Sequence, residues 1–598
     1  MPEDAAVLAD RRIRVVASAW RAPIAAAVAG ALVIWVAPFV LGTFAVNVLT
    51  RSMLYATLAV TVDLLWGFTG ILTFGQAAFF GVGAYATAMT LTSLGSAPAW
   101  MAAALALSIV LPVILGLVVG WLSFYHGSTP LYASVISLVF PIVVTQLVYS
   151  GGALTGSSSG LVGYDTLPLE LEGFFRLSGL VLVVATFIAW IFARSDAGKL
   201  LIAVRDNEAR CAYLGISPKR IQIALTVALA GVAGLVGFLF AHASGVVAPE
   251  NTGFLFGTQL VIWVALGGRG SLLGPVFSTL AIDYLSASLS GDLPFLWQLV
   301  LGAAFVVIII LLPEGLAGLA RRAATIFRSA NEARIPHLAV AKTARGAVPV
   351  EAPLLKVCGL GRSFGSLSVL KDVNFEIRPG ELVSIVGPNG AGKTTLIRCL
   401  SDGAEPFKGA VEIGGKPIVG LTPDEVVALG VGRKFQVASV FESLTVAECL
   451  RLARSTAETP SPVRSSPVVA LPVASVDILR LTGLVDLMAS PARLLSHGMK
   501  QALELAMVLA LEPRLILLDE PTAGLTKTER ATVGTVLRRL TAEAGFAIIL
   551  VEHDLDFVRE ISSRIVVLHQ GKLVLDGPVD EVVNSAVVRT IYAGGADV

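Results

Sequence analysis

The residues of this chain with the most specific chemistry are Gly387-Pro-Asn-Gly-Ala-Gly-Lys-Thr394. Their spacing is G-x-x-x-x-G-K-[ST], with a β-rich run at 382–386 before it and a helical pattern after it. Glycines so placed let successive backbone N–H groups turn inward around phosphate oxygens, at the positive end of the following helix. Lys393 is then positioned to meet β- and γ-phosphates, and the Thr394 hydroxyl to ligate Mg²⁺. Further along, Leu515-Ile-Leu-Leu runs into Asp519-Glu520. Four apolar residues ending in two acids predict a buried central strand that delivers carboxylates at its C-terminal edge. Asp519 would support the metal and Glu520 would polarise an attacking water. Such a run is common alone; beside a phosphate loop it is specific.

The elements that must position these groups belong to one half of an unevenly built chain. Of 598 residues, 55% are hydrophobic and 15% charged, and the mean hydropathy is +0.79. A soluble domain averages about 25% charged residues, so the composition argues against an ordinary cytosolic enzyme. Residues 1–325 hold 29 of the charged side chains and residues 326–598 hold 58, while all eight tryptophans lie in the first part. The four cysteines (211, 358, 399 and 449) have neither disulfide density nor zinc-ligand spacing. A net charge of +1 gives no basic footprint for nucleic acid. The expected organisation is a transmembrane domain at 1–325, a linker at 326–353 and a soluble domain at 354–598. The linker reading rests on Ala-rich polar sequence with Pro336, Pro349 and Pro353.

A bilayer core takes roughly 20 apolar residues per helix. Runs at 23–42, 52–70, 76–94, 99–124, 130–150, 177–193, 222–243, 253–267, 271–289 and 294–313 are the candidate spans. The short ones, and the 70–76 connection, are alternatively re-entrant. The first run exceeds a signal core and is followed by other spans, which argues against a cleaved leader. Basic residues favour the cytoplasmic side. Arg11, Arg12, Arg14 and Arg21 precede the first span, a Lys/Arg cluster lies between 194 and 220, and Arg321, Arg322 and Arg328 follow the last. Ten spans with both termini cytoplasmic satisfy all three clusters.

Two features of this half stand apart. The loop at 194–221 is charged, yet it carries Leu200, Leu201, Ile202, Val204, Tyr213, Leu214 and Ile216. That much apolar surface suits a short docking helix better than a solvated connector. Asp63 lies inside the second span. An acid there is either a helix-packing carboxyl or a group on the substrate path.

Residues 354–598 resemble the nucleotide-binding domain of an ABC transporter. Leu495-Ser-His-Gly-Met-Lys-Gln501 resembles the signature, Gln436 in GRKFQVASVF the Q-loop, His553 in VEHDL the switch histidine, and Phe364 the aromatic that stacks on adenine. The resemblance implies catalytic roles for Glu520, His553 and Lys393. It implies nucleotide contacts from Phe364, Gly387, Pro388, Asn389, Gly390, Ala391, Gly392, Lys393, Thr394, Thr395, Gln436, Ser496 and Gly498. The metal is expected on Thr394, Gln436 and Asp519. The signature departs from LSGGQ at His497 and Met499, and the D-loop reads Ala523-Gly-Leu-Thr526 without its usual Asp. A Pro/Ser-rich stretch at 455–475 is expected to be a flexible surface loop.

The first half resembles the permeases of branched-chain amino acid importers. The resemblance is carried by GFTGILTFGQAAFFGVGAY (67–85), LTGSSSGL (154–161), RDNEARCAYLGI (205–216), ALGGRGSLLGP (265–275) and PEGL (313–316). In that family the 199–216 segment is the coupling helix. Gly67, Gly70, Gly75, Gly81 and Gly83 suit close helix approach or a broken helix.

The expected fold is a polytopic α-helical membrane domain of about ten spans followed by an α/β P-loop ABC ATPase domain. The expected function is an ATP-driven importer subunit, permease fused to ATPase, for branched-chain or related amino acids. It would sit multi-pass in a bacterial inner membrane with the ATPase domain cytoplasmic, using ATP and Mg²⁺. The same architecture also serves urea, short amides and aromatic acids, and LSHG resembles the signature of urea-type ATPases. An ABC exporter half-transporter and a membrane-held ATPase regulator are the rivals. With one phosphate loop, one signature and one set of spans, the chain is expected to need a second permease and a second ATPase, or a second copy of itself. A periplasmic binding protein would deliver the substrate, and no nucleic acid is involved.

Overall fold

The computed structural model describes residues 2–125, 129–292, 296–312, 314–327, 337–341, 353–466, 468–522, 527–586 and 588–589. The chain divides into two compact units. One comprises Met1–Leu201, Lys219–Glu332 and Ser461–Ser465; the other comprises Ile202–Pro218, Ala333–Pro460 and Ser466–Val598.

The helices of the first part of the chain are α1 (Pro2–Val40), α2 (Thr43–Thr69), α3 (Gln76–Leu94), α4 (Pro98–Phe124), α5 (Pro130–Ser150) and α6 (Leu171–Arg194). They continue as α7 (Asp196–Asp206), α8 (Glu208–Ala212), α9 (Pro218–Ser244), α10 (Phe254–Gly267), α11 (Leu273–Asp292), α12 (Trp297–Leu311) and α13 (Gly315–Phe327). Two two-residue strands, β1 (Leu161–Val162) and β2 (Val246–Val247), pair antiparallel. Among the described residues seven helices are long and apolar enough to cross a membrane: Ala22–Val40 within α1, then α2 to α6, and α9. The last three expected runs fall on α10, α11 and α12, of 14, 20 and 15 residues. Each of the ten apolar runs thus contains a helix among its described residues, but only seven of these helices are long and apolar enough to span.

Local sequence explains how these helices start and pack. Pro98 and Pro130 open α4 and α5, where the missing N–H costs nothing. A Cβ on Gly83 would lie 2.4 Å from the carbonyl oxygen of Gly234, so α3 and α9 meet backbone to backbone. Tyr55 centres an aromatic core, with ring centroids 4.8 Å from Phe256 and 6.0 Å from Trp263. Between α2 and α3 the chain is non-helical over 70–75. Gly70 closes α2 at φ +80°, a left-handed conformation that glycine adopts without penalty. Side chains satisfy the freed backbone: the Phe74 N–H donates to Ser137 Oγ and the Gly75 N–H to Thr73 Oγ1, each at 3.3 Å.

Asp63 is fully buried, and both its oxygens are engaged. Oδ1 accepts the Gly270 N–H at 2.6 Å and Oδ2 the Leu272 N–H at 2.9 Å. Of the two readings of this acid, helix packing has its partner: the loop between α10 and α11. A second polar tie joins α2 to α11, where Arg51 pairs with Asp283 at 3.2 Å and Ser52 Oγ donates to the same carboxylate at 2.6 Å. At the start of α7, the N–H groups of Asp196 and Ala197 donate to the carbonyls of Arg464 and Ser461 at 3.1 and 3.0 Å. These would otherwise be unpaired helix-end donors.

The second unit carries β3 (His337–Val340), β4 (Leu355–Phe364), β5 (Leu367–Ile377), β6 (Leu382–Val386), α14 (Lys393–Ser401), β7 (Lys408–Ile413), β8 (Lys416–Pro417) and α15 (Pro423–Ala428). There follow β9 (Val431–Lys434), α16 (Val446–Ala453), β10 (Val468–Leu471), α17 (Val473–Leu481), α18 (His497–Ala510), β11 (Leu515–Asp519), α19 (Lys527–Ala544) and β12 (Ala547–Val551). The last elements are α20 (Leu555–Ile561), β13 (Arg564–His569), β14 (Lys572–Pro578) and α21 (Val579–Asn584). A six-stranded sheet has the order β14-β13-β6-β12-β11-β9, and a four-stranded antiparallel sheet the order β5-β4-β7-β8. Every residue of β6, β11 and β12 is buried, as their unbroken apolar runs require of central parallel strands. At α16 the Thr445 Oγ1 accepts the Glu448 N–H while Glu448 Oε2 accepts the Thr445 N–H, a reciprocal cap legible as T-x-x-E.

Two expectations need correction here. The 455–475 stretch is not a free loop throughout: Val468–Leu471 forms β10, with Val469 and Leu471 buried. Its partner is β3, which lies inside the expected linker and pairs with it in parallel. Short β-branched or apolar runs, VVAL and HLAV, found each other inside otherwise polar sequence. Linker residues 328–336 and 342–352, and the D-loop at 523–526, lie outside the described residues.

Candidate functional site

Strands β6, β12, β11 and β9 are neighbours and parallel, so their C-terminal ends emerge on the same edge. Each end supplies one expected group. The phosphate loop follows β6, His553 follows β12, Asp519 and Glu520 close β11, and Gln436 follows β9.

Glu520 is the point of convergence. His553 Nε2 lies 2.7 Å from its Oε1, and Gln436 Nε2 donates to its Oε2 at 2.8 Å. The Glu520 backbone is left-handed, φ +46°, and its N–H donates to the Val551 carbonyl at 2.9 Å. A non-glycine residue there stores roughly 1–3 kcal/mol of strain, which is tolerated where the surroundings over-determine the position.

In the phosphate loop, Gly390 and Gly392 have φ of +82° and +102°, so the glycines serve the turn itself. Lys393 is buried and its Nζ donates to the Gly387 and Pro388 carbonyls at 2.8 and 3.0 Å. Burial lowers the Lys393 pKa, with Glu520 and Asp519 opposing the shift. Asn389, Gly390 and Thr394 are exposed, Pro388, Gly392 and Thr395 half-buried, and Ala391 buried.

The residues present fit a nucleotide with a divalent ion. Thr394, Gln436 and Asp519 line one cavity of about 690 Å³. Asp519 Oδ1 is buried without a hydrogen-bond partner, while the Thr394 side chain hydrogen-bonds to this carboxylate. Burial raises the Asp519 pKa, and Arg433 is the main opposing charge. A hydroxyl, an amide and a carboxylate are hard oxygen donors of the kind Mg²⁺ takes together with phosphate oxygens. Among the described residues no group of three or more His, Cys, Asp or Glu side chains could hold a metal ion alone.

Other expected residues are placed elsewhere. Ser496 caps α18, its Oγ accepting the Met499 N–H at 3.3 Å. Ser496 and Gly498 line a separate cavity of about 220 Å³, away from the phosphate loop. Phe364 ends β4 with its ring half exposed and the Arg362 guanidinium 4.5 Å from its centroid.

One polar cluster in this unit was not legible beforehand. Arg210 of α8 is fully buried. Its Nη1 donates to the Arg433 carbonyl at 3.0 Å and to Glu504 Oε1 at 3.2 Å. The same Oε1 accepts the Phe435 N–H at 3.0 Å, directly before Gln436. Burial pushes the Glu504 carboxyl up, while Arg210 and Lys434 pull it back. Asp206 accepts the Ser443 N–H at 2.8 Å, Asn207 Nδ2 donates to Ser439 Oγ at 2.9 Å, and Arg433 Nη1 donates to the Tyr213 hydroxyl at 3.0 Å. The docking reading of the 194–221 loop thus has its contacts. Glu504, on the helix that follows the signature, gave no signal in the sequence.

Residues 44–310 match the family described as branched-chain amino acid transport system / permease component, and residues 370–523 match the ABC transporter family. The high-affinity branched-chain amino acid transport ATP-binding protein LivG of Escherichia coli K12 is 34% identical over 254 residues, 41% of this chain and 99% of that protein. The corresponding protein BraF of Pseudomonas aeruginosa is 33% identical over 254 residues, again 41% and 99%. A solved nucleotide-free ATP-binding cassette from an ABC transporter covers 40% of this chain and 99% of its own, at 25% identity and a TM-score of 0.36.

Proposed function

The chain belongs to the branched-chain amino acid family of ABC transporters, with permease and ATPase in one polypeptide, and on that premise we propose that it is an importer subunit for branched-chain or related amino acids. It is a multi-pass membrane protein and an ATP hydrolase coupled to transport. The observation that carries the ATPase part is the convergence of Gln436 and His553 on the two oxygens of Glu520, at the edge where the phosphate loop emerges.

The residues divide the work as follows. The loop from Gly387 to Gly392 and the Thr395 turn wrap the phosphates of ATP, Lys393 neutralises their charge, and Phe364 stacks against the base. Thr394, Gln436 and Asp519 would hold Mg²⁺, which supplies positive charge to the phosphate oxygens. Glu520 orients and polarises the attacking water, while His553 holds Glu520 and meets the γ-phosphate. Ser496 and Gly498 line a different cavity from Thr394, which fits a signature serving the site of a second ATPase domain. The 202–218 segment, built into the ATPase unit through Arg210, Asp206 and Asn207, acts as the coupling element. Both termini and the ATPase domain are cytoplasmic in a bacterial inner membrane. The partners are a second permease, a second ATPase and a periplasmic binding protein.

Amino acids are favoured over urea, short amides and aromatic acids because both the permease match and the LivG and BraF likeness carry that description. The test is competition. In membranes holding the assembled transporter and its binding protein, unlabelled leucine, isoleucine and valine should displace labelled leucine, and urea and benzoate should not. Uptake of urea with no leucine uptake would overturn the substrate assignment.

A further inference from the structure

Glu552, the residue before the switch histidine, has no role in the account above, yet it is nearly fully buried. Its Oε1 accepts both the Thr522 N–H at 3.1 Å and the Thr522 hydroxyl at 2.7 Å. Its Oε2 accepts the His553 N–H at 3.3 Å. Thr522 is two residues beyond Glu520, and it too is buried. One carboxylate therefore ties the turn that bears Glu520 to the backbone of the residue whose ring holds Glu520.

Strand pairing explains why a tie is needed there. β11 and β12 run in register up to Asp519 opposite Val551, and Glu520 and Glu552 are the first residues beyond the ladder. Just past that point the Glu520 N–H to Val551 carbonyl bond continues the pairing. The chain then turns through a strained Glu520 and Pro521. Burial pushes the Glu552 carboxyl up, and the three donors from Thr522 and His553 oppose this. Three N–H or O–H donors aimed at one carboxylate need its acceptor form.

The geometry points to Glu552 as a positioning residue for hydrolysis: its carboxylate fixes the separation of Glu520 and His553 by clamping Thr522 to the His553 backbone. Its contacts are to Thr522 and to the His553 backbone. The inference rests on Glu520 and His553 acting as proposed, so H553A is included as an independent control.

The variants separate positioning from packing. E552Q keeps size and shape but has one acceptor oxygen, which cannot serve both Thr522 and His553. T522V removes the hydroxyl donor at constant volume, and T522S returns it. In the full chain, assembled with its partners in nanodiscs, E552Q should lower kcat for ATP by up to about 10²-fold, the penalty of displacing a catalytic group by an ångström. KM for ATP should stay near wild type. T522V should fall in the same direction, T522S should recover, and E552Q/T522V should be no worse than E552Q alone, because residues of one network are not additive. Wild-type kcat in E552Q, a loss confined to KM, or additive effects of E552Q and T522V would overturn the proposal. A melting temperature that drops while kcat per folded transporter holds would also overturn it, leaving a packing role. Normal hydrolysis in H553A would instead remove the underlying assignment of the histidine.

Discussion

Arg210 and Glu504, 294 residues apart in the chain, form an ion pair with both side chains fully buried, Nη1 to Oε1 at 3.2 Å. Glu504 lies on the helix that begins at the signature, and its Oε1 also holds the Phe435 N–H beside Gln436. The 202–218 segment is thereby tied both to the backbone beside Gln436 and to the helix His497–Ala510.

Breaking a buried pair from one side leaves the other charge unpaired, which typically costs about 3–5 kcal/mol. R210A should therefore lower the melting temperature and the yield of assembled transporter. Replacing both members by apolar residues of similar size is often close to neutral. The double variant R210M/E504M should recover part of the lost stability, since the Phe435 N–H is left without its acceptor, while leucine uptake stays depressed. Stability and uptake recovering together would show that the pair only packs.

Asp63 yields a second prediction. Its two oxygens accept two backbone N–H groups from one loop, and an amide can accept only one of them. D63N should cost about 1–3 kcal/mol through one unsatisfied buried donor. The melting temperature should fall while KM for leucine is unchanged. A changed KM at constant stability would place Asp63 on the substrate path.

The hydrolytic assignment predicts that E520Q binds ATP and does not turn it over. Loss of a general base typically lowers the rate about 10²–10⁴-fold. Equilibrium titration with ATP and phosphate release in the assembled transporter measure the two separately. Near-normal release would remove Glu520 from its role. K393A should instead weaken ATP binding itself, because it deletes the cation facing the phosphates.

Much of this was legible because it is local. The phosphate loop, the apolar run into Asp519-Glu520 and the long apolar helices, seven of spanning length and hydropathy among the described residues against the ten expected, are contiguous patterns with fixed periods. They say what each stretch must become. The Arg210–Glu504 pair, the Glu552 clamp and the Asp63 anchor are not of that kind. Each is a polar side chain whose partner is fixed only by tertiary approach, and an Arg in a charged loop carries no mark of burial. β3 and β10 were missed for a related reason: runs of four residues are too short to show a period, and pairing alone makes them strands.

Assembly can be counted. Native mass measurement of the complex purified from its own membranes should give more than one permease and two ATPase domains, with this 62.4 kDa chain supplying one of each. Separate permease and ATPase subunits alongside it would support a heteromeric assembly. Two copies of this chain alone would support only the homomeric one.

The direction of transport separates ATP-driven import from export. Proteoliposomes should be loaded with ATP and Mg²⁺, with the binding protein and labelled leucine added outside. Leucine should accumulate against its gradient, and E520Q or omission of the binding protein should abolish this. Accumulation that requires ATP on the same side as the leucine and ignores the binding protein would mean export, and would contradict ATP-driven import.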